Sequence, residues 1–300
     1  MNILIVGQGA MGLLWYHHIQ QLIKNSSEHS KTQLHLLPSN KSALNKQSSQ
    51  DNQYTFTAHN NLEHQGKIRV AQTEQVQAAD TIILCLKSFQ IASALKEISA
   101  MLKNDASIVL AHNGMGTLSK LSKHIVKKQN IYALLTTHGC LRTNPLAIIH
   151  TGVGITDIGL LSGVSDLKEP LICQLLNAAL PPVKLHKEIK HKQWLKLAIN
   201  CVINPLTSIN NINNGQINNA EFLPLIVSLL KEITEVANAE EIKLDLNELI
   251  EAVSEVAKAT ANNNSSMLCD VLANRKSEID YINGYIHRLG IKHDIATPEN

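Results

Sequence analysis

Asn2-Ile3-Leu4-Ile5-Val6-Gly7-Gln8-Gly9-Ala10-Met11-Gly12 follows directly on Met1. The apolar run from Ile3 to Val6 is the short, continuous kind expected of a strand covered on both faces. The glycine spacing then predicts a tight turn at Gly7, close approach of the backbone to a pyrophosphate at Gly9, and a helix packed against the strand at Gly12. Met11, Leu14, Ile19, Leu22 and Ile23 recur at helical spacing over residues 10–23. The start of that helix offers N–H groups and a positive dipole end to phosphates. Gln8, Ala10 and Met11 share the loop and count with Gly7, Gly9 and Gly12 as cofactor-binding positions.

Working outward, strands are predicted at 32–37, 55–57, 67–70, 80–86, 107–111 and 131–137, with helices from 88 to about 102 and over 166–180. Residues 42–53, rich in Ser, Asn and Gln, read as a solvated loop, and Gly152, Gly154 and Gly159 punctuate a small antiparallel addition after His150. Residues 183–186 close the domain. Ligands of open α/β sheets bind beyond the carboxyl ends of the strands, which places Lys87 and Asn113 towards a cofactor. Alone, Lys87 reads as a surface charge at a helix start and Asn113 as the first half of an Asn-Gly turn. The second strand ends in Leu37-Pro38-Ser39-Asn40-Lys41. It carries no Asp or Glu to accept from an adenosine ribose, while Ser39 or Lys41 could bind a 2′-phosphate, so the site tilts towards NADP.

From Glu188 strands give way to helices at roughly 188–208, 217–238, 245–260 and 275–289. The predicted architecture is an α/β Rossmann-type dinucleotide-binding domain over 1–187 and an all-α helical domain over 188–300, with the second substrate expected in a cleft between them. In the first of these helices Lys196, Asn200 and Asn204 interrupt a run of Leu, Ala, Ile and Val. Four residues advance a helix by roughly 6 Å and about 400°, so the three share one face. Alone, this stripe reads as a Lys whose stem lies along the core, with two Asn on the wet side. Pro205 is expected to end or kink the helix. Glu278 falls on the last helix, with Ile279, Ile282 and Ile286 as its buried side, and Asn262 to Ser266 read as a loop.

Composition narrows the classes. Of 300 residues, 44% are hydrophobic and 17% charged, as in globular chains. A net charge of +2 from scattered Lys and Arg gives no case for nucleic acid. No apolar run approaches the ~18 residues of a membrane span. No basic-then-apolar leader is visible either. Fourteen His show no metal-site spacing, so no metal is expected. Five Cys, odd in number and widely spaced, suggest reduced thiols. The expectation is a soluble, cytoplasmic protein.

These segments together resemble the ketopantoate reductase (2-dehydropantoate 2-reductase) family. The resemblance is carried by Gly7 to Gly12, Leu86-Lys87, His112 to Thr117, Lys196 to Thr207, Asn214-Gly215, Ser265 to Leu268 and Glu278 to Gly284. It implies NADPH-dependent reduction of 2-dehydropantoate to pantoate, on the route to pantothenate and coenzyme A, by a monomer or homodimer. It implies that Lys196 donates the proton and contacts the substrate, with further substrate contacts at Asn200, Asn204, Asn214, Asn263, Asn264, Ser265 and Ser266. Asn113 would bridge cofactor and substrate, while Lys87, Cys140 (by its backbone) and Glu278 would lie along the cofactor. The residue types suit this chemistry. Hydride attack on a ketone builds negative charge on oxygen, which an ammonium stabilises and can protonate. A neighbouring carboxylate such as Glu278 would keep that ammonium charged, and carboxamides orient a keto acid without adding charge. The chain departs from the family in having no Arg after the second strand. It also stops at Pro298-Glu299-Asn300, where relatives continue through a further helix, which predicts exposed apolar surface on the second domain. The competing readings are a reductase of another branched 2-keto acid and a non-catalytic NADP-binding sensor.

Overall fold

The computed structural model describes residues 1–38 and 52–300. The chain begins β1 (Asn2–Val6), α1 (Ala10–Asn25), β2 (Gln33–Leu37), β3 (Gln53–Thr57), β4 (Glu63–Lys67), α2 (Thr73–Ala78), β5 (Thr81–Leu84), α3 (Ser88–Ile98), β6 (Ser107–Leu110) and α4 (Lys123–Lys128). It continues β7 (Asn130–Thr136), β8 (Gly139–Asn144), β9 (Ala147–Gly152), β10 (Thr156–Ser162), α5 (Lys168–Ala179) and β11 (Val183–Leu185). Five helices follow: α6 (Ile189–Asn210), α7 (Leu223–Ala239), α8 (Leu246–Ala259), α9 (Ser266–Leu272) and α10 (Asn283–His293).

The strands β11-β10-β7-β6-β5-β1-β2 form one sheet in that order. The five from β2 to β7 run parallel, and β10 joins β7 antiparallel. The central strands β5 and β6 are buried at every residue because both faces are covered. Chain order reverses at β1, which has β2 on one side and β5 on the other. Such a reversal opens a crevice beyond the carboxyl ends of the strands.

A second sheet, β4-β3-β9-β8, is not foreseen from periodicity. The expected strand at 67–70 is displaced: β4 covers Glu63–Lys67, a polar edge, and Val70 makes only an isolated bridge to Leu36. This sheet meets α1 through rings. His17 stacks on Phe56 with centroids 3.8 Å apart and its Nδ1 pairs with the Tyr54 hydroxyl at 3.0 Å. His18 stands edge-on to Phe56 and His150, and His138 Nδ1 lies 3.2 Å from His150 Nε2. Burial first, then repulsion from neighbouring imidazoles, pushes His17 down to about 3 and His18 and His138 to about 4. The layer is therefore uncharged at neutral pH.

The chain forms two compact units, 1–112 with 120–189, and 113–119 with 190–300. The second is built on α6, whose Leu197, Ala198, Cys201 and Val202 pack with Leu230, Ile233 and Val253 of α7 and α8. Pro205, expected to end or kink its helix, does not end it: the helix runs on to Asn210. The carbonyl four residues before the proline, that of Cys201, accepts from Asn283 Nδ2 at 2.9 Å instead. Glu278 is not on a helix. Asn274 takes a left-handed φ of 50°, Glu278 precedes a single 3₁₀ turn at Ile279–Tyr281, and α10 begins only at Asn283. Ile279 is accordingly exposed, while Ile282 and Ile286 are buried. The final residues are anchored: the backbone N–H groups of Glu299 and Asn300 donate to the buried Glu232 carboxylate at 3.0 and 3.2 Å. Among the described residues no helix is long and apolar enough to cross a membrane, and no group of His, Cys, Asp or Glu is placed to hold a metal.

Candidate functional site

In the first unit the site is the turn from β1 into α1. Gly7 has φ 107° and its N–H donates to the Leu37 carbonyl at 2.9 Å. A Cβ there would lie 2.5 Å from the Cys85 carbonyl oxygen, and one at Gly12 would collide with the Gly7 carbonyl. Both glycines are thus required by the protein's own packing. Gly9 is different, since among the described residues a Cβ on it would meet only the Cys85 carbonyl oxygen, at 4.0 Å. Gly9 is also the N-cap of α1, with no side-chain cap and no acidic residue in the first turn. The first-turn N–H groups, at Ala10, Met11 and Gly12, have no acceptor within the helix, and no carboxylate from that turn competes with an anion. Gln8 flanks the turn, and its Oε1 is buried without a partner among the described residues.

Cys140, on β8, comes to the same turn. Its thiol donates to the Ala10 carbonyl at 3.5 Å, and burial pushes its pKa up to about 12, so it packs here as a neutral group. Lys87 is the N-cap of α3, half-buried, and its N–H donates to Gln90 Oε1 at 3.1 Å. Beyond the carboxyl ends of β1, β2 and β5 lies a cavity of about 330 Å³ walled by Val6, Leu37, Pro38 and Leu86, with Gln72, Thr73, Gln90, Ser93 and Glu97 as its polar groups. A lining that mixes apolar and hydrogen-bonding groups suits a flat heterocycle. Sequence reasoning missed Gln72 and Gln90, which carry no local motif. Ser39 and Lys41, expected at this end, lie outside the described residues.

In the second unit Lys196 and Asn200 are half-buried on α6 and Asn204 is buried one turn further on. The segments at 214 and 263–266 are laced to each other and to this helix. The Asn214 N–H donates to the Asn263 carbonyl at 3.0 Å, the Gly215 N–H to the Ala261 carbonyl at 3.1 Å, and Asn214 Nδ2 to Thr260 Oγ1 at 2.9 Å. Ser265 caps α9 by accepting from the Leu268 N–H at 3.0 Å. Its Oγ lies 2.8 Å from Thr207 Oγ1, which lies 2.7 Å from the Ile203 carbonyl. One arrangement satisfies both hydroxyls: Ser265 donates to Thr207, and Thr207 donates back into α6. Thr207 is fully buried and was not singled out from sequence, because a Thr among apolar residues gives no signal of its partner. Asn263, Asn264 and Ser266 stay exposed beside the buried Ser265.

Asn113 opens the 113–119 segment of this unit. Gly114 has φ 77°, a Cβ on it would press on the Tyr281 backbone, and the Met115 N–H donates to the Tyr281 carbonyl at 2.8 Å. Asn113 is therefore tied to the turn that holds the buried Glu278. Lys196, the carboxamides at 113, 200, 204 and 214, the Ser265 hydroxyl and the Glu278 carboxylate thus all belong to this unit.

Residues 3–163 match the family described as ketopantoate reductase PanE/ApbA, and residues 188–300 match its C-terminal family. The chain is 35% identical over 300 residues to 2-dehydropantoate 2-reductase of Vibrio cholerae, covering 100% of this chain and 94% of the relative. Among solved structures, the ternary structure of D-mandelate dehydrogenase with NADH and anilino(oxo)acetate superposes with a TM-score of 0.85 at 22% identity, covering 100% of this chain and 94% of that one. A PanE/ApbA family ketopantoate reductase from Ralstonia eutropha gives 0.83 at 22% identity, with coverage of 100% and 94%. At that identity the two structures speak for the fold: a parallel-sheet dinucleotide-binding domain and a helical domain.

Proposed function

Because the chain belongs to the ketopantoate reductase family, we propose that it is an NADPH-dependent oxidoreductase that reduces 2-dehydropantoate to pantoate, for pantothenate and coenzyme A biosynthesis. When bound, NADPH would supply the hydride for the ketone carbon. Lys196 Nζ gives its proton to the ketone oxygen as charge develops there and recovers one from solvent. Asn200 and Asn204, one and two turns along the same helix face, hold the keto acid in one pose. Asn214 and residues 263–266 provide further donors, with Ser266 at the carboxylate. Asn113 serves both ligands, and Glu278 lies along the cofactor.

The cofactor fit rests on Gly9. Among the described residues nothing requires a glycine there, and a ligand backed against the first-turn N–H groups would. Lys87, Gln8 and the Cys140 backbone are assigned to the same ligand. The NADPH preference rests on the missing carboxylate after β2, together with Ser39 and Lys41. A charge-assisted hydrogen bond to a 2′-phosphate is worth roughly 1.5–3 kcal/mol.

The observation that most supports a keto-acid site is the Thr207–Ser265 contact at 2.8 Å, which joins the Lys196 helix to the loop at 263–266, nearly 60 residues later in the chain. The test follows NADPH absorbance across a panel of 2-keto acids. The highest kcat/KM is expected for 2-dehydropantoate, and no turnover of it refutes the substrate. Fluorescence titration with NADPH and NADH checks the cofactor, and tighter NADH binding overturns the preference.

A further inference from the structure

A proline inside a helix leaves the carbonyl four residues earlier without its N–H donor and crowds it with the ring, at a cost of ~3 kcal/mol or more. Pro205 sits one residue after Asn204, so the orphaned carbonyl belongs to Cys201, between Asn200 and Asn204 in the stripe. Cys201 is fully buried, which denies the carbonyl water as a substitute. The donor that replaces the lost N–H is the side chain of Asn283, 82 residues on, at 2.9 Å. The second hydrogen of that amide goes to Asn300 Oδ1 at 3.2 Å, while Asn283 Oδ1 has no partner among the described residues. The amide is thus used for its nitrogen alone. Asn283 is buried as the first residue of α10, five residues after Glu278.

We propose that Asn283 is a positioning residue for the reduction: by capturing the Cys201 carbonyl it carries the Lys196 helix through Pro205 and holds Lys196, Asn200 and Asn204 on one continuous face. This rests on the reading of that face as the keto-acid site. Without the amide, the buried carbonyl regains a partner only by local unwinding at 201–205. Such unwinding separates Asn204 from Lys196 and leaves the glycine turn of the other unit untouched.

The prediction is a rescue. Asn283→Ala is expected to lower kcat at least tenfold and to lower Tm, with NADPH affinity by fluorescence unchanged within twofold. Asn283→Asp, nearly identical in shape but without the donor, is expected to match it. Pro205→Ala restores a backbone N–H to the Cys201 carbonyl, so the Pro205→Ala/Asn283→Ala double variant is expected to regain at least half the lost Tm and most of the lost kcat. A double variant no better than Asn283→Ala, or Asn283→Asp with wild-type kcat, overturns the proposal. If Asn283→Ala is insoluble, recovery of soluble, active protein in the double variant supports it and failure to recover counts against it. If the wild type does not turn over 2-dehydropantoate, the functional reading fails, while the Tm cycle still reports whether the carbonyl is captured.

Discussion

Acidification should loosen the first unit well before ordinary carboxylates titrate, because His17, His18 and His138 are folded into a ring layer that refuses protons. Their pKa values in the folded chain are lowered, to about 3, 4 and 4, against 6.5 for a solvated imidazole. The unfolded chain therefore takes up protons first. The stability is fully present above pH 6.5 and falls as pH drops through the window between 6.5 and the folded values. Each imidazole held neutral subtracts up to about 1.4 kcal/mol per pH unit, or about 2 kcal/mol by pH 5. Part of the lowering at His17, His18 and His138 is mutual repulsion, so the cluster together should cost on the order of 4 kcal/mol by pH 5. That is a large share of a typical 5–15 kcal/mol of folding free energy. The assay is guanidinium unfolding between pH 7.5 and 5. The chain has two tryptophans, and Trp15 lies buried on α1 while Trp194 lies on α6. In a Trp194→Phe background, Trp15 fluorescence reports the first unit alone. The midpoint is expected to fall by about 1 M, for a guanidinium slope of roughly 4 kcal/mol/M. His17→Phe, which keeps a ring over Phe56, should make the decline shallower. A midpoint flat from pH 7 to 5, or imidazole NMR signals titrating near 6.5 in the folded protein, would refute the reasoning.

Other outcomes test the two halves of the site. Gly9→Ala should leave stability within about 0.5 kcal/mol, as for a substitution that meets nothing, yet weaken NADPH binding at least tenfold. Gly7→Ala should lose both, since its Cβ meets the Cys85 carbonyl at 2.5 Å in a backbone of φ 107°; calorimetry and fluorescence titration separate the two cases. Lys196→Ala should lower kcat at least a hundredfold with NADPH affinity unchanged, in line with the 10²–10⁴-fold of general acid catalysis, and equal single-turnover rates would remove it from the mechanism. Ser265→Ala removes both the α9 cap and the Thr207 contact. It should cost about 1–3 kcal/mol and raise the keto-acid KM, read by thermal melts and steady-state kinetics.

What was legible in the sequence is what neighbours in the chain decide. The apolar run at Ile3 to Val6 and the glycines after it specify strand, turn and helix locally, and β5 and β6 announce themselves as unbroken apolar runs. The second sheet was hidden because β4, Glu-His-Gln-Gly-Lys, is an exposed edge with only Gly66 buried. The predicted helix range already runs past Pro205, but the donor that makes this possible is 82 residues away, and a helix rule has no knowledge of Asn283. The Ile spacing predicts a helix at Glu278, but a left-handed Asn274 and the carbonyl of Tyr281, taken by Met115, interrupt the regular ladder. The candidate residues were named one by one in sequence; the hydroxyl chain through Thr207 that gathers some of them was not.

The segment 113–119 leaves the parallel sheet after β6, packs Met115 against the helical core, seats Gly114 and Gly116 on Tyr281 and Tyr285, and then returns to the sheet. The polypeptide therefore crosses from one body to the other three times, at 112/113, 119/120 and 189/190. A single scissor cut near residue 188 would not release an intact C-terminal piece, because the severed fragment would lack a plug supplied from upstream. Neither half is a cassette that recombination could swap by one crossover, and a fragment made for study of the helices alone would need that seven-residue loop grafted back.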